Sequence, residues 1–190
     1  LPGYKGYKEK ELRRESDIEI VGVAEDYDGL VNGAEASAPQ VIVSDIRMPP
    51  HFQSEGIDAC KEIRKRHPGT GVVILSQYDD PDYAIALLSE GAVGYAYLLK
   101  DRVAEGDQLA RAIREVATGG SMLDPAIVNA LMRPMTRADD LSHDQQRDGT
   151  EHSEVSVLSH PIFLVSCADS RGDRRAGSEQ VECTPFPVSL

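Results

Sequence analysis

The chain has no tryptophan and only three phenylalanines, so aromatic residues make up just 5% of its 190 positions. Its core must therefore rest on aliphatic side chains. Long apolar runs are also absent. None approaches the roughly 18 residues a membrane-crossing helix needs, and the N-terminus has no apolar stretch of the signal-peptide kind. Cysteine is scarce: Cys60, Cys167 and Cys183 stand far apart with no metal-ligand spacing. An odd, scattered count excludes a disulfide framework and suits a reducing cytoplasm. The five histidines, His51, His67, His143, His152 and His160, have no partners at ligand spacing. Basic residues are few: 20 lysines and arginines against 32 acids give a formal net charge of −12. The acidic excess runs through both halves, without the positive charge that neutralises nucleic-acid phosphates. DNA binding by this chain alone is not expected.

What remains is 41% hydrophobic and 27% charged, the balance of a globular domain with one core. Four short apolar runs read as strands: Ile18–Ala24, residues 41–44, residues 72–76 and Tyr95–Leu99. They are rich in β-branched residues and nearly continuous in apolar character, as in strands buried on both faces. Between them lie helical patterns. One runs to about Ser37, with Asp28 as its candidate cap. Residues 56–66 carry Ile57, Cys60 and Ile63 on one face, and residues 81–90 carry Ile85 and Leu88. Residues 104–118 carry Leu109, Ile113 and Val116. Asp124 and Pro125 open a further short helix.

Strict alternation of strand and helix predicts an α/β domain with a parallel sheet and helices on both faces. In such sheets ligands sit outside the carboxyl ends of the strands. Asp45, Ser76 and Lys100 fall at successive strand ends, placing an acid, a hydroxyl and an ammonium on one edge. That trio fits a phosphoryl group.

The sequence over residues 17–146 resembles the receiver domain of bacterial two-component response regulators, within the LuxR-type (NarL/FixJ-like) group. Carrying the resemblance are Ser44-Asp45-Ile46-Arg47-Met48-Pro49, Glu55-Gly56-Ile57 and Val73-Ile74-Leu75-Ser76-Gln77-Tyr78. Gly94-Tyr95, Tyr97-Leu98-Leu99-Lys100-Asp101 and Gly119-Gly120-Ser121-Met122-Leu123-Asp124-Pro125 complete it. The resemblance implies a flavodoxin-like (CheY-like) fold. It makes Asp45 the phosphoacceptor, Ser76 the switch hydroxyl and Lys100 the phosphate-contacting lysine. Tyr97 takes the place of the reorienting aromatic, with Tyr95 competing for it. It further implies a sensor histidine kinase as partner, a cytoplasmic location, a homodimer through the face around residues 81–104, and transcription regulation. Mg²⁺ would be held by Asp45, the backbone carbonyl of Arg47 and an acidic pair at the end of the first strand.

Two departures qualify this picture. The acidic pair is not found. Glu25-Asp26 lies only 19–20 residues before Asp45, room for one helix where a helix, a strand and a second helix are required. Ile18–Ala24 is therefore read as the second strand, with the first missing. That predicts a four-stranded sheet in which Val21 and Val23, or Val41 and Val43, are poorly covered. The second departure comes after about Gln146. Leu141-Ser142 looks like the first step of the family's DNA-binding domain, but the acidic tail has no helical period. Its one apolar patch is Pro161-Ile162-Phe163-Leu164-Val165. The expected organisation is an N-terminal remnant (1–16), an incomplete receiver (17–118), a linker with the start of a degenerate output region (119–146), and a disordered tail (147–190). The leucine start and the patternless tail are those expected of a fragment or a shifted reading frame.

Three alternatives stand beside this reading. The acidic, aperiodic tail argues against a transcription factor in full working order. A pseudo-receiver would bind proteins without phosphorylation, and the missing acids favour it. An aspartyl phosphohydrolase of the haloacid dehalogenase type wants a second Asp two residues after the first. That position is Arg47, so no enzyme is expected.

Overall fold

The computed structural model describes residues 4–77, 81–89, 91–103, 107–132 and 162–167. The helices are α1 (Tyr4–Leu12), α2 (Tyr27–Ser37), α3 (Glu55–Arg66), α4 (Pro81–Leu88), α5 (Lys100–Val103), α6 (Gln108–Ala117) and α7 (Pro125–Met132). The strands are β1 (Ile18–Ala24), β2 (Val41–Asp45), β3 (Gly71–Ser76), β4 (Tyr95–Leu99), β5 (Met122–Leu123) and β6 (Ile162–Cys167).

These strands form one six-stranded sheet in the order β1-β6-β2-β3-β4-β5. β2, β3, β4 and β5 run parallel, and β6 pairs antiparallel with both β1 and β2. The sheet is thus mixed and six-stranded, not parallel and four-stranded. Nor does the sheet have the gap expected of a missing first strand. Ile18–Ala24 is the first strand among the described residues, at the edge, and β6 fills the place beside it. Residues 162–167 belong to the stretch expected to be a disordered tail. They form a strand because Ile, Phe, Leu and Val in succession can be buried on both faces of a sheet whose neighbours offer unpaired backbone groups on each side. Gln40 Oε1 accepts from the Cys167 amide at 2.6 Å where β6 ends. The rest of the tail, the output region from residue 133 and the Leu141-Ser142 motif lie outside the described residues.

Alternating side chains divide the core between the two faces, as the two-residue period of a strand requires. On one face Ile42, Val72, Ile74, Tyr95, Tyr97, Ile162 and Leu164 meet Leu30 and Ala34 of α2, Ile57, Cys60 and Ile63 of α3, Leu87 of α4 and Ile127 of α7. On the other, Val41, Val43, Val73, Leu75, Leu98, Phe163 and Val165 meet Leu12 of α1 and Leu109, Ile113 and Val116 of α6. Because β6 covers the flank of β2, Val41 and Val43 are fully buried, whereas Val21 and Val23 on edge strand β1 are 38% and 49% exposed. A register irregularity between Ile20 and Gly22 shifts the facing of β1 midway.

Local signals account for most element ends. Asp26, not Asp28, caps α2, accepting from the Gly29 amide at 2.7 Å. Only the earlier acid is extended and able to reach back. Of the helix expected over 104–118, α6 covers Gln108–Ala117; the short α5 ends before it, and residues 104–106 lie outside the description.

One ion-pair cluster ties α6 to the entry of β1. Arg114 Nε and Nη2 each lie 2.7 Å from the Asp17 carboxylate, and Nη2 also reaches Glu15 at 2.5 Å. The guanidinium holds the Asp17 carboxyl below its ordinary value of 3.8. A carboxylate with a lowered folded-state pKa contributes stability that is complete above its unfolded value and fades as pH falls through the folded one. Asp17→Asn is therefore expected to lower stability most above pH 4, and by progressively less as pH falls below the ordinary carboxylate range. Denaturant melts across that window check this; a uniform loss at every pH would contradict it.

Candidate functional site at the carboxyl edge of the sheet

Asp45 is the last residue of β2 and pairs with Leu75 of β3, one position before Ser76. Ser76 in turn pairs with Leu99 of β4, one position before Lys100. Register alone therefore brings the three strand ends together. Lys100 Nζ donates to Asp45 Oδ2 at 2.6 Å, with both side chains nearly buried at 11% and 12% exposure. Charge-assisted bonds of this length, screened from water, are far stronger than surface pairs. Ser76 is buried beside them at 3% exposure.

The loop after Asp45 is held on its inner side by Ile46 and Met48, both buried, and contains a cis Pro49-Pro50 bond. Glu55, opening α3, accepts from the amides of His51 and Gln53 at 3.2 and 2.7 Å. Gly56 donates its amide to the Ile46 carbonyl at 2.9 Å. A Cβ on Gly56 would lie 1.8 Å from the carbonyl oxygen of Asp45. The helix start is thus pressed directly onto the backbone of Asp45, and only glycine fits there.

Not all of the expected site residues converge. Asp45, Ser76 and Lys100 do. Arg47 points outward, its guanidinium 6.0 Å from the ring centre of Tyr83 and 3.4 Å from that hydroxyl. With Phe52, Gln53 and Ser54 these two side chains line an open groove of about 430 Å³ beside the Asp45 loop. The only trace of this groove in the sequence is Tyr83, a partly buried aromatic in the first turn of α4. Tyr97 lies fully buried in the core beside α4 and α7, three residues short of the sheet edge. Tyr95 serves differently, its ring 4.3 Å beneath the Arg64 guanidinium.

The donor set does not fit a Mg²⁺ ion among the described residues. Such an ion wants hard oxygen ligands, commonly more than one carboxylate. No group of three potential ligand side chains occurs among these residues, Asp26 is engaged at its helix cap, and Asp45 Oδ2 faces an ammonium. Where the sheet would present another strand's carboxyl end beside Asp45, β6 presents its N-terminal end, with Phe163 opposite Val43.

A parallel-stranded core with an acid, a buried hydroxyl and a lysine at adjacent strand ends defines a receiver-like α/β module. Residues 8–114 match the response regulator receiver domain family, and the chain belongs to that family, which is not a family of enzymes. It is similar to the transcriptional regulatory protein DegU of Brevibacillus brevis, 32% identical over 155 residues, 82% of this chain and 62% of that protein. It is also similar to the DNA-binding transcriptional activator DevR/DosR of Mycobacterium tuberculosis, 32% identical over 127 residues, 67% of this chain and 55% of that one. The chain thus spans about three-fifths of these curated relatives. Among solved structures, the isolated receiver domain of RcsB from Salmonella enterica serovar Typhimurium shares the fold. The TM-score is 0.55 at 21% identity, covering 68% of this chain and 91% of that one. No helix among the described residues is long and apolar enough to cross a membrane.

Proposed function

We propose that this chain is a phosphoacceptor receiver of a NarL-type two-component response regulator, with Asp45 as the residue phosphorylated. The observation that carries the reading is the 2.6 Å contact between Lys100 and Asp45 at the sheet edge, with Ser76 buried on the strand between them. The Asp45 oxygen facing away from Lys100 attacks the phosphorus of a phosphohistidine on a sensor kinase. The P–N bond breaks, its electron pair returns to the imidazole, and an acyl phosphate forms. Transfer of this kind runs through a loose transition state, so positioning and charge neutralisation do most of the work. Lys100 supplies the charge, and the Ser76 hydroxyl donates to a phosphoryl oxygen. Tyr97 contributes through repacking in the core beneath. A cytoplasmic histidine kinase is the donor, the surface of α4, β4 and α6 is the pairing face of a homodimer, and transcription is the output of the longer protein. The receiver unit is assigned to residues 17–118, with β5, α7 and β6 completing its sheet and core.

A pseudo-receiver is the second reading. It is favoured by the donor set, because no group of three His, Cys, Asp or Glu side chains placed to hold a metal occurs among the described residues.

Incubation with acetyl phosphate, read by intact mass, separates the two. The proposal expects a gain of one phosphoryl group that disappears in Asp45→Ala and slows by roughly a hundredfold to a thousandfold in Lys100→Met. No gain in a folded sample would favour the pseudo-receiver.

A further inference from the structure

β6 has no sequence neighbour among its partners: the described chain leaves α7 at Met132 and resumes at Ile162. Yet β6 is paired on both sides. Residues from Ile162 to Cys167 meet β1 from Ala24 back to Ile18, and Phe163, Leu164 and Val165 meet Val43, Ile42 and Val41 of β2. At its centre stands Leu164, 1% exposed. A Cβ placed on Gly22 of β1 would come within 2.9 Å of Leu164 Cδ1, and a Cβ placed on Gly33 of α2 would come equally close. Two consecutive elements, both far in sequence from Leu164, are therefore glycine where the leucine enters. On the opposite face Phe163 and Val165 pack with Leu12, Ile18, Val41 and Val43.

We propose that the place between β1 and β2 is a strand-acceptor slot read by the side chain at position 164, and that residues 162–167 of a second copy can fill it. The occupant the slot requires is an extended apolar segment, antiparallel to β2, with leucine at its third position. Every copy of the chain carries both that segment and its socket, so a reciprocal exchange between two copies keeps each backbone hydrogen bond and each core contact. Such an exchange closes into a symmetric dimer. β-branched and aromatic residues on both faces of β6 make it competent to pair wherever the slot stands open.

Complementation between two full-length variants tests this. Gly33→Leu closes the socket but leaves the strand intact. Leu164→Asp disables the strand but leaves the socket intact. Co-refolded in equal amounts, they are expected to form a heterodimer of twice the chain mass by sedimentation, with a cooperative melt that neither variant shows alone. Should either variant fail to fold by itself, rescue in the mixture still reads positively. A mixture whose sedimentation and melting equal the sum of the separate samples would overturn the proposal. None of these readouts involves phosphorylation, so the result stands apart from the role of Asp45.

Discussion

Gly56→Ala is expected to be among the most damaging single substitutions in the chain, and to damage the site as well as the fold. The added methyl would sit 1.8 Å from the Asp45 carbonyl oxygen and 3.0 Å from that of Ile46. Both are backbone atoms of β2 and the loop leaving it, so no rotamer change relieves the clash. Either α3 lifts away, opening the contacts of Ile57, Cys60 and Ile63 with the sheet, or the end of β2 moves and carries Asp45 off Lys100. Overpacking costs about 1–3 kcal/mol when side chains can shift, and this case belongs at or above the top of that range. The measurement is a denaturant melt alongside the rate of phosphoryl uptake from acetyl phosphate. Both should fall. A variant with unchanged stability would show that the helix start is not seated on Asp45.

Leu164→Ala carries the second large effect, about 2–5 kcal/mol by the usual range for leucine truncation in a closed core. The upper part of that range is expected, because the socket walls are the backbones of Gly22 and Gly33 and have no side chain with which to collapse inward. A melting curve checks it. The result also distinguishes a structural β6 from an incidental one: if residues 162–167 did not pair in the sheet, truncating Leu164 would change stability by only a few tenths of a kcal/mol.

The two halves of the sheet were unequally legible in the sequence. β2, β3 and β4 announce themselves as short runs of Val, Ile, Leu and Tyr between polar turns, and their ends place Asp45, Ser76 and Lys100 without any knowledge of pairing. β6 could not be read in the same way. Ile162-Phe163-Leu164-Val165 has the composition of a buried strand, but a four-residue apolar patch in an acidic, unpatterned stretch has no local partner. What makes it a strand is a vacancy between β1 and β2, and nothing in the local sequence of residues 162–167 points to it. The spacing between Glu25-Asp26 and Asp45 signals the vacancy but not the segment that fills it. At the site, the Lys100 contact follows from register. The outward turn of Arg47 toward Tyr83 depends on loop geometry that spacing does not encode. Tyr95 and Tyr97 could not be ranked from sequence because residues two apart on a strand share a face; only the packing of Arg64 over one ring separates them.

The most direct test of Asp45 as phosphoacceptor is chemical trapping. After treatment with acetyl phosphate, borohydride reduces an aspartyl phosphate to homoserine, which peptide mass spectrometry locates by position. Homoserine at position 45, and its loss when acetyl phosphate is omitted, is the predicted result. A phosphorylated chain with aspartate intact at position 45, or homoserine elsewhere, would contradict the assignment.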